Sequence, residues 1–318
     1  MKTSVPLLVV VALAMLPVLR AEVSADRREI IFSGVQSATS APEFVTLLNT
    51  DAAAVALELR IAGPDAVAFS VFGSPTVTLK PVEARVAGVV FNPPAGRIGA
   101  LHASCEIVTA QGDVVAMVPL HGLSALGIEG PREAPMDQIL ATLGYAVDIG
   151  WSGLKGNVLA EPLGEEIAAP SFRRSGPGEV TMRPIARYSP DYPLPFGYYR
   201  MNGDQPRLVP IGTLARASAT RFEHNCLFPT IATGGMTFDP GDEPFGLFTA
   251  SPTHVAYTED ALNARLEPTH VAHAVRIYPA RDRDGRLMAH TYLVGFEEAS
   301  NGDYQDYLFL LTNVSPVP

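Results

Sequence analysis

Short runs in which apolar and polar residues alternate recur along the chain, and clusters of turn-forming residues separate them. Leu57, Leu59 and Ile61 alternate with Glu58 and Arg60, and Val77 and Leu79 alternate with Thr76, Thr78 and Lys80. A period of two buries one face of a strand and leaves the other to solvent. From residue 29 to about 124 the runs are divided by Gly63-Pro64, Gly73-Ser74-Pro75, Asn92-Pro93-Pro94 and Gln111-Gly112-Asp113. That spacing predicts an antiparallel, immunoglobulin-like sandwich of about 95 residues. Cys105 falls in the alternating series Leu101, Ala103, Cys105, Ile107, which places its thiol toward the core.

The pattern changes at residues 125–143. Gly127, Gly130, Pro131 and Pro135 punctuate a linker, and Met136, Ile139, Leu140 and Leu143 then recur at helical spacing up to Gly144. Tyr145, Val147 and Ile149 alternate again and predict the next strand. Further strands are expected over 179–185, 245–250, 271–278, 290–296 and 307–311, with helical periodicity nearly absent. The last two runs are apolar on both faces, which suits interior strands. The expected fold is all-β, an N-terminal immunoglobulin-like β-sandwich followed by a larger C-terminal β-sandwich of jelly-roll type. Its divisions are 1–25 as a signal peptide, 26–124 as the first sandwich, 125–144 as linker and short helix, and 145–318 as the second.

The leader reading rests on Lys2 followed by an apolar run over residues 5–18, interrupted only by Pro6 and Pro17. About 14 residues fall short of the roughly 20 that span a bilayer as a helix, so the run reads as a cleaved secretory signal. Cleavage fits after Ala25, with Val23 and Ala25 at the small-residue sites, or after Ala21. No Cys follows to carry a lipid and no second run is long enough to span. The expectation is a secreted, periplasmic or cell-surface protein without a transmembrane anchor after cleavage. Over the 318 residues a hydrophobic content of 47% against 18% charged excludes general disorder, and a net charge of -10 opposes nucleic-acid binding. Two cysteines, Cys105 and Cys226, are too few for a disulfide scaffold and favour two structural thiols over one bridge.

Ile31-Phe32, Val45-Thr46-Leu47-Leu48-Asn49-Thr50, Phe69-Ser70-Val71, Val89-Val90-Phe91-Asn92-Pro93 and Val118-Pro119-Leu120-His121-Gly122 together resemble the ASH-type (abnormal-spindle/hydin-like) immunoglobulin-like domain of exported bacterial proteins. The resemblance implies a spacer or partner-binding module. Farther on, Phe238-Asp239-Pro240-Gly241, Phe245-Gly246-Leu247-Phe248, Val275-Arg276-Ile277-Tyr278-Pro279 and Gly295-Phe296-Glu297-Glu298 look like a C-terminal β-module that follows such domains in large exported bacterial proteins. The stretch from Phe296 to Asp306 also resembles a wider group of exported β-domains ending in Phe-Glu-Asp…Gly-Asp-x-Asn-Asp. Here Glu298 and Gln305 stand where that pattern has Asp and Asn.

Candidate chemistry is sparse. No Gly-x-Ser-x-Gly elbow and no zinc-protease motif occurs. His270 and His273, three apart on an expected strand, would face opposite sides, and His102 and His121 lack a second ligand at metal spacing. Pro-Thr-His-Val-Ala occurs at 252–256 and again at 268–272, too short a match to define a repeat unit. Tyr192, Tyr198, Tyr199 and Trp151 could form a sugar platform and read better as core. Glu259 and Glu297 could serve a secreted carbohydrate-active hydrolase, the rival to a non-catalytic role.

Calcium is the one cofactor expected, and it needs six to eight oxygens. The turn at Asp282–Gly285 and the loop after Phe296 lie at opposite ends of a strand of roughly 27 Å, so the turn is left as a simple hairpin. The loop supplies Glu297, Asn301, Asp303 and Asp306, to be completed by Asp239, Asp242, Glu259 or Asp260 from neighbouring connections. The expected function is a secreted or cell-envelope, non-catalytic binding or structural protein that takes calcium and a surface polymer. Its expected partners are a cell-envelope protein or polysaccharide, not nucleic acid.

Overall fold

The computed structural model describes residues 22–154, 160–218, 223–298 and 300–317, so most of the expected leader lies outside the described residues. The first nine strands are β1 (Val23–Ala25), β2 (Ile30–Val35), β3 (Glu43–Asn49), β4 (Val55–Ala62), β5 (Phe69–Phe72), β6 (Thr76–Leu79), β7 (Ala84–Phe91), β8 (Gly99–Thr109) and β9 (Val114–Ala125). They form two sheets, ordered β1-β3-β7-β5 and β2-β9-β8-β4-β6. The alternating residues meet between them, with Phe32, Leu47, Leu59, Phe69, Phe91 and Ile107 in the shared core.

One ladder departs from the antiparallel expectation: β2 runs parallel to β9, from Ile30 beside Leu120 to Val35 beside Ala125. Alternation encodes which face is buried and not strand direction, so the pattern could not reveal it. Gly122 on β9 is required by close approach, since a Cβ there would sit 2.3 Å from the Phe91 ring. Cys105 and Cys226 are both buried and are not joined in a disulfide.

The connector carries helix α1 (Met136–Leu143), closed by Gly144 at φ 85. Its Met136, Ile139, Leu140 and Leu143 pack with Leu123 and Ala125 of β9 and with Tyr278, Leu293 and Leu308 of the C-terminal part. The expected strand at 145–149 is not formed. Ile149 is buried, and the Glu165 N–H donates to the Asp148 carbonyl at 2.7 Å, but this bond does not extend into a ladder, so period two here marks an extended strap.

Thirteen strands follow: β10 (Ser171–Arg174), β11 (Val180–Tyr188), β12 (Leu194–Asn202), β13 (Gln205–Leu214), β14 (Asn225–Leu227), β15 (Ile231–Gly234), β16 (Thr237–Phe238), β17 (Gly246–Ala250), β18 (Val255–Tyr257), β19 (Val275–Arg281), β20 (Leu287–Phe296), β21 (Tyr307–Thr312) and β22 (Val314–Val317). One sheet runs β14-β11-β21-β20-β19 with β16 also on β11, a second runs β15-β13-β12-β17-β18, and β10 pairs with β22. The two larger sheets close over Met182, Val294 and Phe309 from one side and Leu194, Phe196 and Leu247 from the other. The doubly apolar β20 and β21 are interior strands. Helix α2 (Asp260–Leu266) was not expected; seven residues are too few for periodicity to show. The molecule is all-β, built as β-sandwiches.

Candidate functional site

The loop from Glu297 to Asp306 joins two neighbouring interior strands, so both of its ends are fixed by ladders. Positive φ at Gly302 (76°) and Tyr304 (55°) folds it back on itself. One Glu297 carboxylate oxygen accepts the N–H groups of Gly302, Asp303 and Tyr304 at 2.9, 3.0 and 3.4 Å. Asp306 accepts the N–H of Glu298 at 2.5 Å. The result is a cluster in which one carboxylate oxygen from each of Glu297, Asp303 and Asp306 lies within 4.8 Å of the others, all three residues being buried. Asn301 donates its amide to Asp303 Oδ2 at 2.9 Å, which leaves Asp303 Oδ1 buried without a partner.

The cluster concentrates negative charge in a place where water cannot screen it. Burial, reinforced by Glu133, raises the Asp303 carboxyl to about 6. Burial, then Glu297 and Asp303, pushes Asp306 well above the usual carboxylate range. Among the described residues no ion pair engages Asp303 or Asp306. Gln305, wholly buried, donates to Glu133 at 2.9 Å across 172 positions of sequence, and its own carbonyl oxygen has no partner. Glu133 also caps the short turn at Gly130–Arg132 by accepting the Gly130 N–H.

Glu298 turns to the other side of the loop, where it accepts the Tyr307 hydroxyl, itself 2.5 Å from that of Tyr192. The buried Arg187 guanidinium lies over both rings at 5.3 and 5.8 Å and donates to Ser189 and to the carbonyls of Ala215, Pro190 and Tyr192. Among the described residues its guanidinium forms no ion pair with the cluster.

Four expected completing residues go elsewhere. Asp239 and Asp242 bind Arg174 at 2.8 and 3.1 Å. Asp260 binds His273, and Glu259 is the N-cap residue of α2 without a side-chain cap bond. These residues lie on connections that pass between the two larger sheets, from β16 to β17 and from β18 to β19, where Arg174 and His273 engage three of them. The expected strand at 271–278 begins only at Val275, so His270 and His273 lie in a bend. His270 stacks on His254 with ring centroids 4.0 Å apart, bringing together the histidines of the two Pro-Thr-His-Val-Ala segments. His273 lies between Asp260 and Glu166, each at 2.9 Å; burial lowers it, but these two hydrogen bonds prevail and raise it to about 9.

His102 and His121 face each other across β8 and β9 with Nδ1 atoms 2.9 Å apart. Tyr198 stacks on Phe238, and Trp151 and Tyr304 flank the buried Arg276, which places these rings largely in packing. Ser175 meets His290 at 2.6 Å, and among the described residues no carboxylate bonds the far imidazole nitrogen. Glu297 is enclosed in its loop while Glu259 borders an open cavity, so the two do not flank one substrate. The Asp282 carboxylate accepts Asp284 and Arg286 N–H groups, and Gly285 has φ 79, as a simple hairpin requires.

No family model matches the chain, and no curated protein matches it. Among solved structures it is similar to an ASH/PapD-like domain of human CEP192, with 18% identity, a TM-score of 0.26, and coverage of 40% of this chain and 99% of that one. It is also similar to the E. coli chaperone DraB, with 10% identity, a TM-score of 0.29, and coverage of 52% and 74%. The secreted serine protease VesC from Vibrio cholerae shares 10% identity at a TM-score of 0.29; 94% of this chain is covered and 51% of that one. At TM-scores this low, no property passes from these proteins to this chain.

Proposed function

We propose that the chain is an exported cell-envelope protein that acts by binding rather than by turnover, and that a calcium ion held by Glu297, Asp303 and Asp306 fixes the loop between its two central strands. The observation that carries this reading is the buried carboxylate cluster with an unpartnered Asp303 oxygen inside it. Buried carboxylates at this separation repel one another unless a proton or a cation stands between them. Oxygen-only donors on a hard, acidic site suit calcium rather than zinc or copper. The Asn301 amide lies beside Asp303 and can turn its oxygen toward the ion, and water completes the shell. Calorimetric titration of chelator-treated protein should show one equivalent bound at neutral pH, and the pair Asp303→Ala with Asp306→Ala should abolish it. Equal heats for the pair and the unaltered chain would remove the site.

Export predicts a particular mature end. Val23 is buried in the first core, β1 pairs with β3 from Val23–Asn49 to Ala25–Leu47, and the Glu22 carbonyl accepts both the N–H and the hydroxyl of Thr50. A cut after Ala25 strips this edge strand, whereas a cut after Ala21 preserves it. Mass spectrometry of exported protein should therefore find Glu22 as the first residue; Asp26 in that place would contradict the prediction. Among the described residues no helix is long and apolar enough to cross a membrane. The non-catalytic reading is checked on a panel of polysaccharides, where product formation would favour the hydrolase.

A further inference from the structure

We propose that the cavity between the end of β12 and the loop leading into β17 binds a carboxylate-bearing pyranose, a uronic acid unit of an acidic polysaccharide. The inference rests on the binding role proposed above but not on the calcium site. The cavity has a volume of about 370 Å³ and is bordered by Ser171, Tyr199, Arg200, Met201, the 243–246 segment and Glu259.

Two donors in it have nothing to donate to. Tyr199 is only 2% exposed, and its ring lies so close over Gly246 that a Cβ there would be 2.2 Å from Cζ and 2.4 Å from the hydroxyl oxygen. Tyr257 packs edge-on against the ring at 5.3 Å and holds it in place. The hydroxyl lies near Thr258 and Glu259, yet it completes no hydrogen bond of good geometry. Burial pushes this phenol far above its ordinary range, so it remains a donor. Arg200 has its Nε buried without a partner, and among the described residues its guanidinium makes no hydrogen bond or ion pair. A partly buried guanidinium left in this state is costly unless an oxyanion meets it. Neighbouring Arg174, by contrast, already holds two carboxylates.

The acidic side chains of the same cavity narrow the ligand. Glu243 and Glu259 border it, and neither comes within ion-pair distance of Arg200. A compact dianion such as sulfate would meet both as repulsion. A ligand with one carboxylate and several hydroxyls satisfies all of these groups, because Arg200 and Tyr199 donate to the carboxylate while Glu259 and Glu243 accept from hydroxyls. Met201, Pro244 and Phe245 offer an apolar wall to the C–H face of a sugar ring. Glu259 also borders two further cavities of about 310 and 300 Å³, so space adjoins the central unit as a chain of sugars needs.

The test is calorimetric titration of the mature chain with galacturonate, guluronate and mannuronate hexamers, each in calcium and in chelator, alongside neutral hexamers and free glycine. At least one uronate hexamer should bind, and its methyl ester and the neutral hexamers should bind at least tenfold more weakly. Arg200→Gln should lose tenfold or more, and Tyr199→Phe several-fold, with melting temperatures within a degree or two of the unaltered chain. Binding equal for acidic and neutral sugars, glycine competing with the hexamer, unchanged affinity in Arg200→Gln, or no binding of any uronate overturns the proposal. The calcium reading stands or falls separately on the ion titration.

Discussion

Replacing Arg276 by methionine is expected to destabilise the fold by about 3–5 kcal/mol, lowering the melting temperature by roughly 10 °C. Arg276 is wholly buried on β19, and its guanidinium pairs with Glu166, whose side chain is 3% exposed. The same guanidinium lies 4.7 Å from the Tyr304 ring centre and 5.5 Å from that of Trp151. Methionine recovers part of the packing volume but leaves the Glu166 carboxylate in low dielectric with His273 as its remaining charged partner. A buried ion pair contributes little over an apolar pair of the same shape, and most of the penalty comes from stranding one charge. The double variant Arg276→Met with Glu166→Met should therefore lie closer in stability to the unaltered protein than the single variant does. Urea unfolding of all three chains measures this, and a single variant as stable as the unaltered chain would show that the pair is not buried as described.

Much of the architecture is legible because burial writes itself into alternation. Leu57 and Leu59 point inward from a strand whose polar partners face out, and β20 and β21 are apolar on both sides because sheets or helices cover both. The parallel pairing of β2 with β9 is not legible, since direction leaves no mark on the pattern. Ile149 shows the converse: a segment can alternate because it lies along a core without joining a sheet. For the site, the acids inside the loop were identifiable because ten consecutive residues carry them. Their neighbours were not. Glu133 reaches Gln305 only because α1 packs its apolar face on the C-terminal sheet, a contact distant in sequence. Asp239 and Asp242 resemble free ligands until Arg174 is seen to hold them.

The calcium site should also make stability depend on pH in an unusual direction. In chelator, the folded-state carboxyls of Asp303 and Asp306 titrate above the ordinary value of 3.8, Asp303 at about 6 and Asp306 also raised well above it by burial and by its acidic neighbours. Groups with raised folded values contribute stability that is fully present below 3.8 and is lost as pH rises through the folded values. The ion-free protein should therefore melt progressively lower between pH 4 and 7 on their account. Calcium binds only the deprotonated carboxylates, so its affinity rises over the same range and offsets the loss. At a hundredfold excess over the dissociation constant, binding adds about 2.7 kcal/mol, or roughly 5–10 °C in melting temperature. The gap between melting curves in calcium and in chelator should thus be small at pH 4 and near its full size at pH 7. Asp303→Asn removes one of the repelling charges while keeping the shape, so it should raise the ion-free melting temperature at pH 7 and erase the response to calcium. A variant that instead melts lower in chelator and keeps the calcium shift would show that Asp303 serves the loop through its hydrogen bonds alone.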